Sequence, residues 1–294
     1  MKIYFSIPDF YYHFDINSAL LSLMNEHPEM INSDVVIDSI YGSFPNAIWN
    51  GGRVCIGVND AKNAEDTIRY FNDRCIPVRY TFTNHLLNEK QIWDTWCNTL
   101  MRKADNGKNE VTVNSDVLNH YLRETYPRFR RISSTTKGIK TIDDFNAECE
   151  KDFHLCVLGY GVNNNFELLQ KIKHPEKTEI MVNEPCVENC PYRQEHYASV
   201  ARWQINNEPD GFRTCGYYDF AAAMSRKHFI SYRDIVEVYA PMGFNHFKIV
   251  GRTSPKHDVV EAYVHYFIRP VYQTQARLFL LSQVNGSRGF NSHR

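Results

Sequence analysis

The sequence predicts a TIM-type (β/α)8 barrel forming a single domain over 1–294, with long loops after the second and seventh strands. Three observations carry this expectation. Eight short runs rich in β-branched and aromatic residues alternate with eight helix-compatible stretches, the order that gives a parallel sheet covered by helices. The length of 294 residues suits a barrel, which typically needs about 250. No Pro-, Gly- or Ser-rich linker, internal repeat or low-complexity tract marks a boundary, so one barrel accounts for the chain more economically than two domains.

Taken in order, the first strand falls at 2–7 and its helix at 17–25. The second strand, 34–40, is followed by a long connection, 41–60. A helix then spans 61–72, with Asp60 as its N-cap. The third strand, 77–83, leads to a helix at 89–102. The fourth, 110–113, leads through the capping residues Asn114 and Ser115 to a helix at 115–124. Strand five, 129–133, and strand six, 153–158, precede helices at 142–150 and 165–172. Strand seven, 179–182, opens the longest connection, a rim insertion at about 183–245 that holds a helix at 193–204. Strand eight, 246–251, and a helix at 259–272 complete the series. The last residues, about 284–294, contain Asn285-Gly286-Ser287-Arg288-Gly289 and read as a mobile tail.

Composition narrows the function classes. Lys and Arg number 33 against 34 Asp and Glu, so no global basic field advertises nucleic-acid binding. The 43% of apolar residues, with 18 Tyr and 18 Phe, are enough for a full core. No run approaches about 20 apolar residues, and the first ten residues lack the apolar stretch of a secretory leader. The expected setting is therefore cytoplasmic, without a membrane. In such a reducing compartment, the eight cysteines are expected as buried thiols or metal ligands rather than disulfides. No Gly-x-Gly-x-x-Gly, Walker loop or Gly-x-Ser-x-Gly elbow is present, which disfavours nucleotide-dependent and serine-hydrolase chemistry.

The chemistry-bearing segment follows the seventh strand: Asn183-Glu184-Pro185-Cys186-Val187-Glu188-Asn189-Cys190-Pro191-Tyr192-Arg193-Gln194-Glu195-His196, with Cys215 later in the same insertion. Three cysteines and a histidine in one rim segment have the density of a metal site. Two identities fit. Cys186, Cys190, Cys215 and His196 make a Cys₃His zinc site. Alternatively, the three thiolates hold a 4Fe-4S cluster with Cys55 or His196 as fourth ligand. A radical-SAM motif is disfavoured because its third cysteine would fall at Arg193. Cys75, Cys97, Cys149 and Cys156 lie in or beside apolar segments and read as core thiols.

Polar residues at strand ends project into a barrel mouth, here Asp9, Thr83, Asn84, Asn114, Ser134, Thr135, Asn183, Glu184 and Arg252. Arg53, Arg193 and Arg252 have the planar forks that bind carboxylates. Asn84 and Asn183 join Arg53 as substrate-binding candidates. Glu184, Arg193, His196 and Arg252 are the catalytic candidates; Glu184 serves as acid or base with His196, or as a cap for the helix after Cys190.

Several stretches resemble the peptidase U32, or collagenase-like, family. Gly243-Phe244-Asn245-His246-Phe247-Lys248-Ile249-Val250-Gly251-Arg252 with Val259-Val260-Glu261-Ala262-Tyr263 is similar to the family's Lys-Ile-Glu-Gly-Arg strand and following helix. Ser33 to Val36 through Asn50-Gly51-Gly52-Arg53 resembles its second strand and glycine–arginine turn. Val78 to Leu87, Thr112 to Asp116 and Ser133 to Thr136 resemble the next three strands. The resemblance implies a barrel whose rim cysteines, here Cys186, Cys190 and Cys215, bind an iron–sulfur cluster. It also implies either a peptidase or an oxygen-independent hydroxylase of ubiquinone precursors or RNA bases, with prephenate as oxygen donor. This sequence departs from the pattern in three ways. Three residues separate the first cysteine pair where many members have six, Val250 replaces the usual Glu, and no fourth cysteine is matched. The leading expectation is an iron–sulfur hydroxylase or related redox enzyme acting on a small anionic or RNA substrate. The alternatives are a zinc hydrolase or peptidase and a non-catalytic barrel subunit with a structural metal. A second copy of the chain or a related barrel subunit is the expected protein partner.

Overall fold

A computed structural model describes residues 1–211 and 219–286. Eight parallel strands close into one barrel in sequence order: β1 (Ile3–Pro8), β2 (Val35–Gly42), β3 (Val78–Phe82), β4 (Glu110–Val113), β5 (Arg130–Ser133), β6 (Leu155–Val157), β7 (Thr178–Met181) and β8 (His246–Lys248). β8 closes the barrel on β1, with Tyr4, Phe5 and Ser6 paired to His246, Phe247 and Lys248. The (β/α)8 architecture is the one read from the sequence. The strands form because β-branched and aromatic residues dominate them. Their outward side chains, such as Phe5, Ile7, Tyr80, Val111 and Phe247, are buried under the helices.

The helices are α1 (Phe14–Glu26), α2 (Ala61–Asn72), α3 (Thr95–Ala104), α4 (Asp116–Thr125), α5 (Ile142–Cys149), α6 (Phe166–Leu169), α7 (Arg193–Asn206), α8 (Phe220–Met224), α9 (Tyr232–Asp234), α10 (Lys256–Phe267) and α11 (Gln273–Gly286). Asp60 and Ser115 cap α2 and α4 as expected, accepting from the backbone N–H groups of Asn63 and Leu118. Asn114 does not cap; its amide donates to Thr136 Oγ1 at 2.8 Å.

Several boundaries differ from the sequence expectation. The helix expected at 89–102 divides into a 3₁₀ turn, Gln91–Trp93, and α3, because Asp94 interposes and caps the second piece through Cys97 N–H. The helix expected at 165–172 is a single turn. The helix expected at 259–272 starts at Lys256 and stops at Phe267, where Ile268 turns extended before Pro270. Beyond it α11 runs to Gly286, whereas composition suggested only a tail from about 284; 287–294 lie outside the described residues. β8 is three residues long rather than six. Cys97, Cys149 and Cys156 are buried, as expected, but Cys75 is exposed. It occupies a left-handed turn, φ 59°, after α2, and Ile76 rather than Cys75 enters the core there.

The barrel interior holds an ionic cluster and an apolar one. Arg79 on β3 reaches across the lumen to donate to Glu179 of β7 at 2.5 Å. It also donates to Glu110 of β4 at 2.6 Å and lies 3.6 Å from Asp38. Ser6 donates to the same Glu179 oxygen at 2.6 Å, and Lys248 lies 3.8 Å from the other. Burial alone would raise the Glu179 carboxyl, but Arg79 and Lys248 more than offset it and hold it below the usual carboxylate range. Ile132, Leu155, Val157, Tyr160 and Met181 form the apolar cluster, with Val250 packed against it.

Candidate functional site

The site lies where the chain leaves the C-terminal end of β7, the face on which barrel enzymes place their chemistry. Asn183 ties this exit to the chain just beyond β8 by bonding both backbone groups of Val250, at 2.7 and 3.0 Å. Glu184 follows, then the cysteine loop, then α7. On α7, Arg193, His196 and Tyr197 occupy positions i, i+3 and i+4, which share one helical face. That face closes a cleft of about 40 Å³ lined by Arg53, Glu184, Cys186, Cys190, Tyr192, Arg193, His196 and Tyr197.

Thus the structure brings together Arg53, Glu184, Cys186, Cys190, Arg193 and His196, all named from sequence. Arg53 lies 3.8 Å from Glu184. Glu184 Oε1 accepts from Cys186 N–H at 3.2 Å and does not cap the following helix, because α7 starts only at Arg193, whose N-cap Tyr192 makes no side-chain bond. The Arg193 guanidinium lies 4.6 Å above the Tyr160 ring and donates to the Val187 carbonyl at 3.2 Å. Tyr160 donates to that same carbonyl at 3.0 Å, so both residues hold the cysteine loop. His228, buried beside Tyr160, bonds the Glu184 carbonyl at 2.7 Å.

The electrostatics favour a neutral imidazole. Burial is the largest influence on His196, followed by Arg53 and Arg193, and together they bring it down to about 4. At neutral pH the ring is therefore uncharged beside two fixed cations. Replacing both arginines by methionine is expected to raise the His196 pKa, though not to an ordinary value, since burial remains. A histidine NMR titration showing no change in the double variant contradicts this account.

Three further candidates lie elsewhere or are committed to the scaffold. Arg252 donates to the Gly51 carbonyl at 3.1 Å and to Asn50 Oδ1 at 2.8 Å, so it positions the 50–53 loop that carries Arg53. Asn84 is fully buried, donating to the Ile48 and Ala201 carbonyls and accepting from Leu86 N–H. Cys55 is buried away from the cleft: Gln204 of α7 clasps its backbone on both sides, and its thiol donates to the Ser43 carbonyl at 3.3 Å. Burial, chiefly, pushes that thiol up to about 12. Cys215 lies outside the described residues. Among the described residues, no three of His, Cys, Asp or Glu are grouped so as to hold a metal ion.

A second, larger cleft of about 840 Å³ adjoins the first. It runs from the ends of β5 and β6 to the cysteine loop, and Cys190, Arg193 and Tyr197 line both. Ser134, Lys140, Val157 and Gly159 also line it. The sequence reading missed Tyr160 and Tyr197. The available signals were the strand-end position of Tyr160 and the four-residue spacing of Tyr197 from Arg193.

The fold and this rim constellation define the chain as a closed (β/α)8 barrel with a thiol- and arginine-bearing cleft at the C-terminal end of its strands. No family model and no curated protein matches the sequence. A solved U32 peptidase structure does match the fold, with a TM-score of 0.54 and 14% identity, over 87% of this chain and 95% of that one. The chain therefore has the barrel fold of a U32 peptidase. Among the described residues no helix is long and apolar enough to cross a membrane.

Proposed function

We propose that the chain is a barrel enzyme that binds a small anionic substrate at its rim and carries a thiolate-bound iron–sulfur cluster there for an oxygen-independent hydroxylation or related redox reaction. The observation that carries this reading is the convergence of Cys186, Cys190, Arg53, Arg193 and His196 on one cleft at the C-terminal end of β7. The fold likeness to a U32 peptidase supports the barrel part of this reading.

The described donor set stops at two thiols on that cleft, with Cys215 as the third donor the reading requires, so no step is assigned to a metal. The protein's own groups have definite tasks. Arg193, braced on Tyr160, and Arg53 neutralise and orient the substrate anion. The neutral His196 accepts a proton at a ring nitrogen, and Glu184 is the carboxylate beside it.

Metal analysis of anaerobically purified protein tests the reading. The expected result is iron with acid-labile sulfide and a broad visible absorbance, both lost in Cys190→Ser and Cys215→Ser variants that keep their fold. Zinc without iron points instead to metal-assisted hydrolysis, a second reading favoured by the fold likeness to a peptidase. Protein with neither metal overturns both and leaves a binding or scaffolding barrel.

A further inference from the structure

Lys248 takes no part in the proposed chemistry, yet it is placed as a nucleophile. It is the last residue of β8, paired in register with Ser6 and Met181, and its side chain enters the lumen at the catalytic end of the barrel. Its Nζ lies 3.9 Å from the centre of the Tyr41 ring and 3.8 Å from Glu179 Oε2. That oxygen accepts no hydrogen bond among the described residues, whereas Oε1 is shared by Ser6 and Arg79. The amine is therefore held loosely, by a ring face and one long ionic contact. The Lys248 side chain is 10% exposed while those of Arg79 and Glu179 are fully buried, so within this trio it is the group that water reaches.

We propose that Lys248 forms a Schiff base with a small carbonyl compound at the barrel mouth. The free amine adds to the carbonyl carbon and forms the C–N bond. The two amine protons then leave with the carbonyl oxygen as water, and an imine remains; nothing is oxidised or reduced. Glu179 Oε2 is the nearest carboxylate oxygen to relay those protons. Physical chemistry agrees: burial, reinforced by Arg79 and Arg252 and opposed by Glu179, lowers the ammonium to about 8, so a useful fraction is free amine near neutrality.

The test is borohydride trapping with glycolaldehyde or pyruvate on the full chain, followed by peptide mass spectrometry; it needs neither metal nor activity, so its outcome is separable from that of the metal analysis. The expected result is a reduced adduct at Lys248 exceeding that at the exposed Lys62 by about ten-fold or more, since an amine near 8 has a far larger free fraction than an ordinary lysine. Labelling should rise as pH passes through about 8 and then level off. Lys248→Arg, which keeps the charge, should abolish the adduct with the fold intact. No adduct at Lys248 in the wild-type protein, or one equal to that at Lys62, overturns the proposal.

Discussion

Replacing Arg79 with methionine is expected to lower the free energy of unfolding by about 3–5 kcal/mol, the usual cost of removing one partner from a buried ionic cluster. Arg79, Glu110 and Glu179 are all fully buried, and among the described residues Arg79 is the one cation in direct contact with both carboxylates. Without it, Glu179 keeps only Ser6 and the distant Lys248, while Glu110 keeps Arg130. The loss thus arises from stranded charge rather than from the missing bonds. Adding Glu179→Gln to the Arg79→Met variant should consequently recover part of it, even though two residues are then changed. Urea denaturation at neutral pH measures both. A loss below about 1 kcal/mol for Arg79→Met would place the pair in the range of surface ion pairs and refute a dry ionic core.

Gly51→Ala should be the most damaging single-methyl change at the rim. A Cβ there would sit 2.6 Å from the Thr83 carbonyl carbon and 2.7 Å from both the Thr83 oxygen and the Asn84 nitrogen, all backbone atoms. Such atoms cannot swing aside, so the 50–53 loop must move. Overpacking of this kind costs typically about 1–3 kcal/mol. The loop gives Arg252 its acceptors and carries Arg53, which lines the cysteine cleft, so damage reaches the site. The expected signature is a fall in unfolding midpoint together with an upward move of the His196 titration as Arg53 withdraws. Gly159→Ala, where a Cβ meets nothing within 4 Å, is the control and should leave both unchanged.

The barrel was legible because local composition and global topology agree: each strand is a short β-rich run and each crossover has room for a helix. Asp60 and Ser115 announced their helices correctly. The C-terminal helix α11 was obscured by the Asn285-Gly286 composition at its end, although Ala276, Leu280 and Val284 bury themselves at spacings of four. Within the site, the cysteine pair, Arg193 and His196 were readable because one local segment holds them. Arg53 joined them because the strand-two loop is pinned over β3, with Gly51 N–H bonded to the Thr81 carbonyl and Asn84 N–H to that of Trp49. The structural commitment of both Asn84 and Asn183 was not readable: strand-end asparagines that face a mouth and those that bond the backbone look alike until their partners are known.

The charged lumen was written in the strands as polar residues at every second place, Arg79 and Thr81, Glu110 and Thr112. It has a consequence for how the chain reaches its native state. Arg79 and Glu179 are separated by 100 positions, so their contact forms only when distant parts of the chain meet. A partial barrel ending after β4 would pair Arg79 with Glu110 but leave the arginine facing an open trough; one lacking β3 would leave Glu179 without its principal cation. Intermediate assemblies therefore carry an electrostatic penalty that disappears at ring closure. The ionic core acts as a checksum on assembly, rewarding the complete circle of eight and disfavouring any shorter or misordered one.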